Sequence, residues 1–168
     1  MVSLPGRGSR LPAGVTTRMG IDPREKVVSW GSSAAVAGET YVVATDRALY
    51  LNEPGERLAW DRITKATWDE PTLELVVAGP PTRRLRLTVD QSRDLPAAVR
   101  DRVTASVVVS ERLDLGGGQG ATAVARRSSE DGSIRWNVVF DRGLDPSDPT
   151  LREAADIALA NLRESLGI

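Results

Sequence analysis

Three arginines on one predicted strand form the densest group of side chains that could bind an anion. Arg83, Arg84 and Arg86 lie within the stretch RRLRLTV. Residues two apart on a strand project from the same face, about 7 Å from each other, so Arg84 and Arg86 share a face. The pair could hold an anion or an acidic partner through charge-assisted hydrogen bonds. Alternatively, it belongs to a solvated strand face and is paired across the sheet with Glu74 or Asp69.

Three carboxylates in DRGLDPSDP suggest a second chemistry, the binding of a divalent cation. The spacing of Asp141, Asp145 and Asp148 does not fit a calcium loop, which needs oxygen donors at about every second residue and a distal glutamate. Asp148 stands directly before Pro149, which is typical of a helix cap followed by the first helical residue. We therefore predict no metal site here and a helix that begins at Pro149.

The stretch LGGGQGA, residues 115–121, has the glycine content of a phosphate-binding loop. Such a loop also needs a Lys-Ser or Lys-Thr pair and a helix whose first N–H groups face the phosphate. Here the pair is missing and the following residues alternate as a strand does. The stretch therefore predicts a flexible hairpin tip.

Histidine and cysteine are both absent from the 168 residues. This removes the commonest general base near neutral pH, the commonest metal ligand, disulfides and thiol catalysis. An enzyme would have to work with carboxylates and arginine, so we predict a protein without catalysis, cofactor or metal. The formal net charge of -1 does not favour binding to nucleic acid. All basic residues are arginines except Lys26 and Lys65, which is typical of GC-rich coding bias.

Four tryptophans stand out because aromatic residues make up only 4% of the chain. Large aromatic side chains dominate small cores, so Trp60 and Trp136 are predicted to be buried. Trp30 precedes a Gly-Ser-Ser stretch and is the tryptophan that we expect at the surface. We therefore place Trp30, together with Arg84 and Arg86, among the residues that could contact an anion or a partner.

The first 20 residues are rich in glycine, proline, serine and arginine, a composition typical of disorder. We expect no signal peptide here, because Arg7 and Arg10 fall where its apolar core would lie. Met19 is an alternative start, which would leave out the first 18 residues. No stretch reaches the ~18–20 apolar residues of a membrane span, so we expect a cytoplasmic protein.

Apolar and polar residues alternate through most of residues 21–106, which predicts a domain of about seven short antiparallel strands. Turns are expected at Thr45-Asp46-Arg47, where Asp can bond its own backbone, and at Pro54-Gly55. After Val89 the period changes to three and four residues. An amphipathic helix is therefore predicted around Leu95–Val103, where it would close the open end of the sheet.

A second pattern, β-β-β-α, occupies residues 107–168 and is predicted to pack on the first domain as an extension. The chain as a whole is thus expected to be α+β and mainly antiparallel β. The third strand of the extension has an unbroken apolar face of Ile134, Trp136, Val138 and Phe140. If the chain does not cover this face itself, we expect it to be a dimer interface.

The stretch VVATDRALYL, followed by RLAWDRITKATWD, resembles the bacterial pleckstrin-homology-like family over roughly residues 24–106. The resemblance implies a barrel of about seven strands capped by a helix. It also implies a general habit of binding proteins, peptides or lipids, without catalysis. The residues that carry it are Thr45, Asp46, Arg47, Leu49, Leu58, Trp60 and Ile63.

Phosphoinositide-binding members of that family use basic residues in and beside the loop between the first two strands. The corresponding loop here, GSSAAVAGE, holds one glutamate and no basic residue, whereas headgroup recognition needs several convergent cations. We therefore expect a non-catalytic binding or scaffold domain whose ligand is another protein or a second copy of this chain. An extended peptide could add as a strand between an edge strand and the closing helix. Binding to a lipid or membrane surface is the alternative.

Overall fold

The structure, a computed structural model, describes residues 10–168. It is α+β, with mostly antiparallel strands in three sheets and a few helices. Two compact units contain residues 10–105 with Ser129–Asp131, and Ser106–Ser128 with Gly132–Ile168. The helices are α1 (Val15–Arg18), α2 (Leu95–Ala105) and α3 (Pro149–Leu166). The strands are β1 (Val27–Ala35), β2 (Gly38–Thr45), β3 (Ala48–Leu51), β4 (Glu56–Ala59), β5 (Ile63–Asp69), β6 (Thr72–Val77), β7 (Arg83–Thr88), β8 (Val107–Gly116), β9 (Gln119–Arg127) and β10 (Ile134–Phe140).

The first unit contains two antiparallel sheets, one of β1 to β4 and one of β5 to β7, each in sequence order. The predicted turn between β2 and β3 is confirmed. Thr45 Oγ1 accepts hydrogen bonds from the N–H groups of Arg47 and Ala48, at 3.2 and 3.0 Å. The predicted alternation in β7 is confirmed as well, because its arginines are exposed and its leucines half-buried.

The core of the first unit collects apolar side chains from both sheets, from the short 3-10 turn at Trp60 and from α2. The helix contributes Leu95, Val99 and Val103, which lie on one helical face because they are four residues apart. It contacts β1, β2 and β5. The amphipathic helix that the sequence predicts after Val89 is therefore confirmed, and it packs on the sheets.

Gly31 allows β1 to approach the first turn of α2 closely. A Cβ at this position would lie 2.5 Å from Val89 Cγ1 and 3.0 Å from Leu95 Cδ2. Packed carbon atoms prefer about 3.5–4.0 Å, so a side chain here would push the strand and the helix apart. Because Gly31 has no side chain, the strand and the helix can pack closely at this position.

Part of the segment predicted to be disordered covers the other face of the β1–β4 sheet. Residues 1–9 of that segment lie outside the described residues, but residues 10–20 include α1, whose Val15 is fully buried. Val15 belongs to an apolar cluster with Tyr41, Val43 and Tyr50. Residues 10–20 were predicted to be disordered, but they pack on the sheet because β2 and β3 present a second apolar face. The composition of the segment does not reveal this face.

The position of Trp30 also differs from the prediction. Its side chain is part of the same cluster and is only 9% exposed, so the expectation that it lies at the surface is wrong. The Gly-Ser-Ser stretch that follows is the middle of β1, where Ser32 and Ser33 are buried, and it does not form a surface turn. Trp60 is buried as predicted, at 2% exposure.

The second unit consists of an antiparallel sheet in the order β10-β9-β8, with α3 against β8. The glycine-rich stretch forms the tip between β8 and β9, where Gly117 and Gly118 have φ values of 60° and 77°. The helix α3 starts directly after Asp148, whose Oδ1 accepts a hydrogen bond from the N–H of Thr150 at 2.9 Å.

The core of the second unit is small, and it leaves the apolar face of β10 only partly covered. Its fully buried members are Leu113, Ala121 and Ala123. The side chains packed around them are half-buried: Leu115, Trp136, Val138, Phe140, Ala158, Leu159 and Leu162. Trp136 is therefore less buried than the sequence predicts, because three strands and one helix enclose little space.

Candidate functional site

A cleft opens in the first unit where β1, residues 10–16 and the loop before α2 meet. Its volume is about 640 Å³, within the range of about 300–1,000 Å³ that is usual for binding pockets. The residues that line it are Arg10, Leu11, Pro12, Ala13, Gly14, Thr16, Val27, Val28, Ser29, Trp30, Arg93 and Asp94. Among the described residues, the cleft therefore combines an apolar wall with two cations and one carboxylate.

Arg93 has the least usual backbone in the cleft. Its φ is 50°, and no other residue of 10–168 except glycine has a positive φ. An L residue in this left-handed region costs roughly 1–2 kcal/mol. The conformation brings the guanidinium over Trp30, with Cζ 4.4 Å from the ring centre, so a cation–π contact offsets part of the strain. Arg93 is exposed and thus presents its charge at the mouth of the cleft.

Asp94, the next residue, connects the loop before α2 to β1. Its Oδ1 accepts a hydrogen bond from Ser29 Oγ at 2.5 Å. The carboxylate thereby fixes the start of the helix relative to the strand, while the neighbouring Arg93 remains at the surface. We interpret Asp94 as a positioning residue for the cleft.

A second cavity, of about 400 Å³, continues the cleft along α2. The two cavities share Val28 and Asp94, so they form one groove between β1 and the helix. Val28 is 41% exposed, and the small side chains of Ala97, Ala98 and Ala105 line the helix side. Such short side chains leave space for another chain to lie beside the helix.

β1 is an edge strand of its sheet. Its free edge forms one isolated antiparallel bridge, between Ser32 and Gln91. The N–H of Ser32 donates to the carbonyl oxygen of Gln91 at 3.1 Å, and the N–H of Gln91 donates back at 2.9 Å. Nearer the groove, a bulge between Val27 and Ser29 interrupts the register with β2. Bulges bend a strand and redirect its side chains, which explains why Val28 faces the groove.

Of the predicted partner residues, Arg84 and Arg86 are both exposed on β7, whereas Trp30 lies apart from them on β1. Arg86 Nε lies 2.8 Å from Glu74 Oε1, and the two residues are opposite each other in the β6–β7 register. This contact is the cross-strand pairing that the sequence left open as the alternative to anion binding. Arg86 lines a separate cavity of about 500 Å³ beside Asp90, whereas Trp30 lies in the β1–α2 groove.

The three carboxylates between β10 and α3 have structural partners. Asp141 forms an ion pair with Arg112, and this hydrogen-bonded guanidinium lowers the pKa of the Asp141 carboxyl. Asp145 accepts hydrogen bonds from Ser147, which lower its pKa as well, and Asp148 caps α3. Within residues 10–168, no three acidic side chains come together as a metal site.

The sequence did not single out Arg93, Asp94 or Ala97 as residues of a binding site. Arg93 and Asp94 occur in QSRDLP, which reads as an ordinary loop and helix cap. Neither the left-handed backbone of Arg93 nor its contact with Trp30 has a local sequence signal, because Trp30 is distant along the chain. Ala97 belongs to the groove only because the packing of α2 places it in the lining of the same cavity as Val28.

The residues that carry the family resemblance are mainly residues of the core. Leu49, Leu58, Trp60 and Ile63 belong to the cluster shared by the two sheets and α2, and Thr45 is fully buried. They explain how the chain folds and do not line the groove.

No protein-family model, curated protein or solved structure matches this chain. Among the helices of residues 10–168, none has the length and apolar character needed to cross a membrane.

Proposed function

We propose that the first unit is a pleckstrin-homology-like barrel that acts in the cytoplasm as a non-catalytic protein-binding module. The assignment is supported by the succession of four and then three antiparallel strands, followed by a helix that packs on both sheets. It is also supported by the burial of the residues that carry the family resemblance. Binding is favoured over catalysis because the chain lacks histidine and cysteine, and because the described residues that line the groove include only two carboxylates, Asp94 and Asp101.

The ligand of this module is an extended segment of a partner protein, bound in the groove between β1 and α2. The observation that carries this proposal is the continuous groove beside an edge strand, which is the setting for peptide binding by strand addition. Small apolar side chains of the partner would lie over Val28 and Ala97. An acidic residue of the partner would pair with Arg93, whose charge is held at the mouth of the cleft.

Peptide selection on the full chain tests this proposal. We expect peptides that contain an acidic residue next to small apolar residues to be enriched from a random library. Ala97→Arg should then weaken binding of the selected peptides at least tenfold, because the long side chain fills the groove. The measurement is a fluorescence-anisotropy titration with the labelled peptides.

Ala160→Arg is the matched control, because Ala160 is an exposed alanine on α3, in the second unit. It should leave peptide affinity unchanged. Equal weakening by both variants, or binding that neither variant affects, would show that the peptides bind elsewhere. A library that yields no enriched peptide would contradict the proposal as a whole.

A second candidate function, binding to a membrane surface, is favoured by the tip of the β1–β2 hairpin. Val36 is fully exposed there between Ala35 and Ala37, and an apolar tip can insert among lipid headgroups. The absence of basic residues in the loop limits attraction to anionic lipids. If this function holds, the chain floats with anionic vesicles at low salt and Val36→Asp abolishes flotation. Val108→Asp, also at an exposed valine, serves as the control, and an unbound wild-type chain would eliminate the candidate.

A further inference from the structure

Edge strands usually carry features that prevent pairing with another chain, such as bulges, charges, prolines or short length. In the part of the chain that the structure describes, four edge strands have such features. β5 and β8 have irregular registers with their neighbours, β4 has four residues, and β7 carries three arginines. The edge of β1 contacts Gln91 at Ser32 and otherwise borders the proposed peptide groove. β10 is different. It has seven residues, a regular register with β9 and a single charged residue, Arg135.

The direction of the β10 peptide groups follows from the hydrogen bonds at its two ends. Ser128 N–H donates to the carbonyl oxygen of Ser133, and Asp141 N–H donates to the carbonyl oxygen of Gly120. Ser133 and Asp141 therefore point their backbone groups at β9. Because this direction alternates along a strand, the N–H and C=O groups of the even-numbered residues point to the opposite edge. These residues are Ile134, Trp136, Val138 and Phe140.

The sequence of β10 is complementary to itself in an antiparallel arrangement. If a two-fold axis passes at Asn137, Ile134 lies opposite Phe140, and Trp136 lies opposite Val138. These pairs are aromatic with β-branched, a favourable combination across strands. Arg135 lies opposite Val139, and Ser133 opposite Asp141, so like charges do not oppose each other. The backbone groups that point outward are those of the paired even-numbered residues, as antiparallel hydrogen bonding requires.

We propose that two copies of this chain associate through their β10 strands and form a continuous six-stranded antiparallel sheet. The apolar face of β10, which points to α3, also favours a second copy of this chain as the partner. The helix lies against β8, the opposite edge of the sheet, and Trp136, Val138 and Phe140 remain half-buried. In the dimer the same residues of the second copy extend this face, and apolar surface left by the small core is removed from water.

A single cysteine tests this arrangement cleanly, because the chain has none of its own. Asn137 would lie opposite its own copy in a non-hydrogen-bonded pair, where Cα atoms are about 4.5 Å apart, within the range that a disulfide spans. Asn137→Cys should therefore give a disulfide-linked dimer under mild oxidation. Ser110→Cys, at an exposed position on β8, is the matched control and should remain monomeric on a non-reducing gel.

Sedimentation of the unmodified chain and of Val138→Pro provides the second measurement. The N–H of Val138 points away from β9, so proline removes a bond of the dimer and none of the β9–β10 ladder. We expect the wild type to dimerise with rising concentration and the variant to stay monomeric, with unchanged circular dichroism. A monomeric wild type, or equal crosslinking of both cysteine variants, would overturn the proposal. If Val138→Pro does not fold, the cysteine pair alone decides.

Discussion

Trp60→Ala is expected to lower the free energy of unfolding of the first unit by about 3–5 kcal/mol, the usual cost of removing a buried aromatic side chain. Trp60 is 2% exposed and belongs to the core formed by both sheets and α2. Its Nε1–H also donates a hydrogen bond to the carbonyl oxygen of Thr45 at 3.0 Å. The substitution therefore leaves a cavity and a buried acceptor without its donor. Urea unfolding followed by circular dichroism measures the effect.

Two further variants separate the contributions at Trp60. Trp60→Phe keeps most of the apolar volume and loses the hydrogen bond, so a smaller loss of roughly 1–2 kcal/mol is expected. Trp68→Ala removes a half-buried tryptophan next to the same core and should cost less than Trp60→Ala. If Trp68→Ala lowers the free energy of unfolding more than Trp60→Ala does, the conclusion that Trp60 lies at the centre of the core is wrong.

Val15→Asp is expected to destabilise the first unit by about 2 kcal/mol, the scale on which burying a valine side chain stabilises a protein. Val15 has no exposed surface and packs against the second face of the β1–β4 sheet with Val43 and Tyr50. An aspartate cannot remain charged at that position without a partner, so the segment containing α1 should detach. The loss of stability cannot exceed the free energy by which packing of that segment on the β1–β4 sheet stabilises the unit. Thermal unfolding of purified protein measures it.

Removal of residues 1–18 should match Val15→Asp, because both changes uncover the same face of the sheet. Thr16→Asp is the control, since Thr16 is the next residue of α1 and is exposed. It should change the melting temperature little. A Thr16→Asp variant as unstable as Val15→Asp would show that charge in the segment, and not the burial of Val15, determines stability.

Most of the strands and helices could be predicted from the sequence because their signals are local. Alternation over RRLRLTV places the arginines and leucines on opposite faces, and β7 has this pattern. Asp148 followed by Pro149 marks the start of α3, and the glycines at 117 and 118 form the tip between β8 and β9. Each signal lies within a few residues of the element that it specifies.

The burial of both faces of β2 could not be predicted in the same way. Alternation predicts which residues of a strand share a face, but it does not specify that both faces are covered. In β2, Val42 packs toward α2 and Val43 toward α1. The cover of the second face is a segment whose glycine and proline content is typical of disorder. Its single decisive side chain, Val15, has no distinguishing signal in the sequence.

The sequence by itself thus determined the order and type of most elements after residue 20, the antiparallel character of the sheets, and the chemistry that the absence of histidine and cysteine excludes. Only the tertiary structure decided which faces are covered and where the groove between β1 and α2 lies. Arg93 contacts Trp30, and Ala97 lines the same cavity as Val28, across more than sixty residues of chain. Such arrangements depend on how whole elements pack, which neither local periodicity nor residue type specifies.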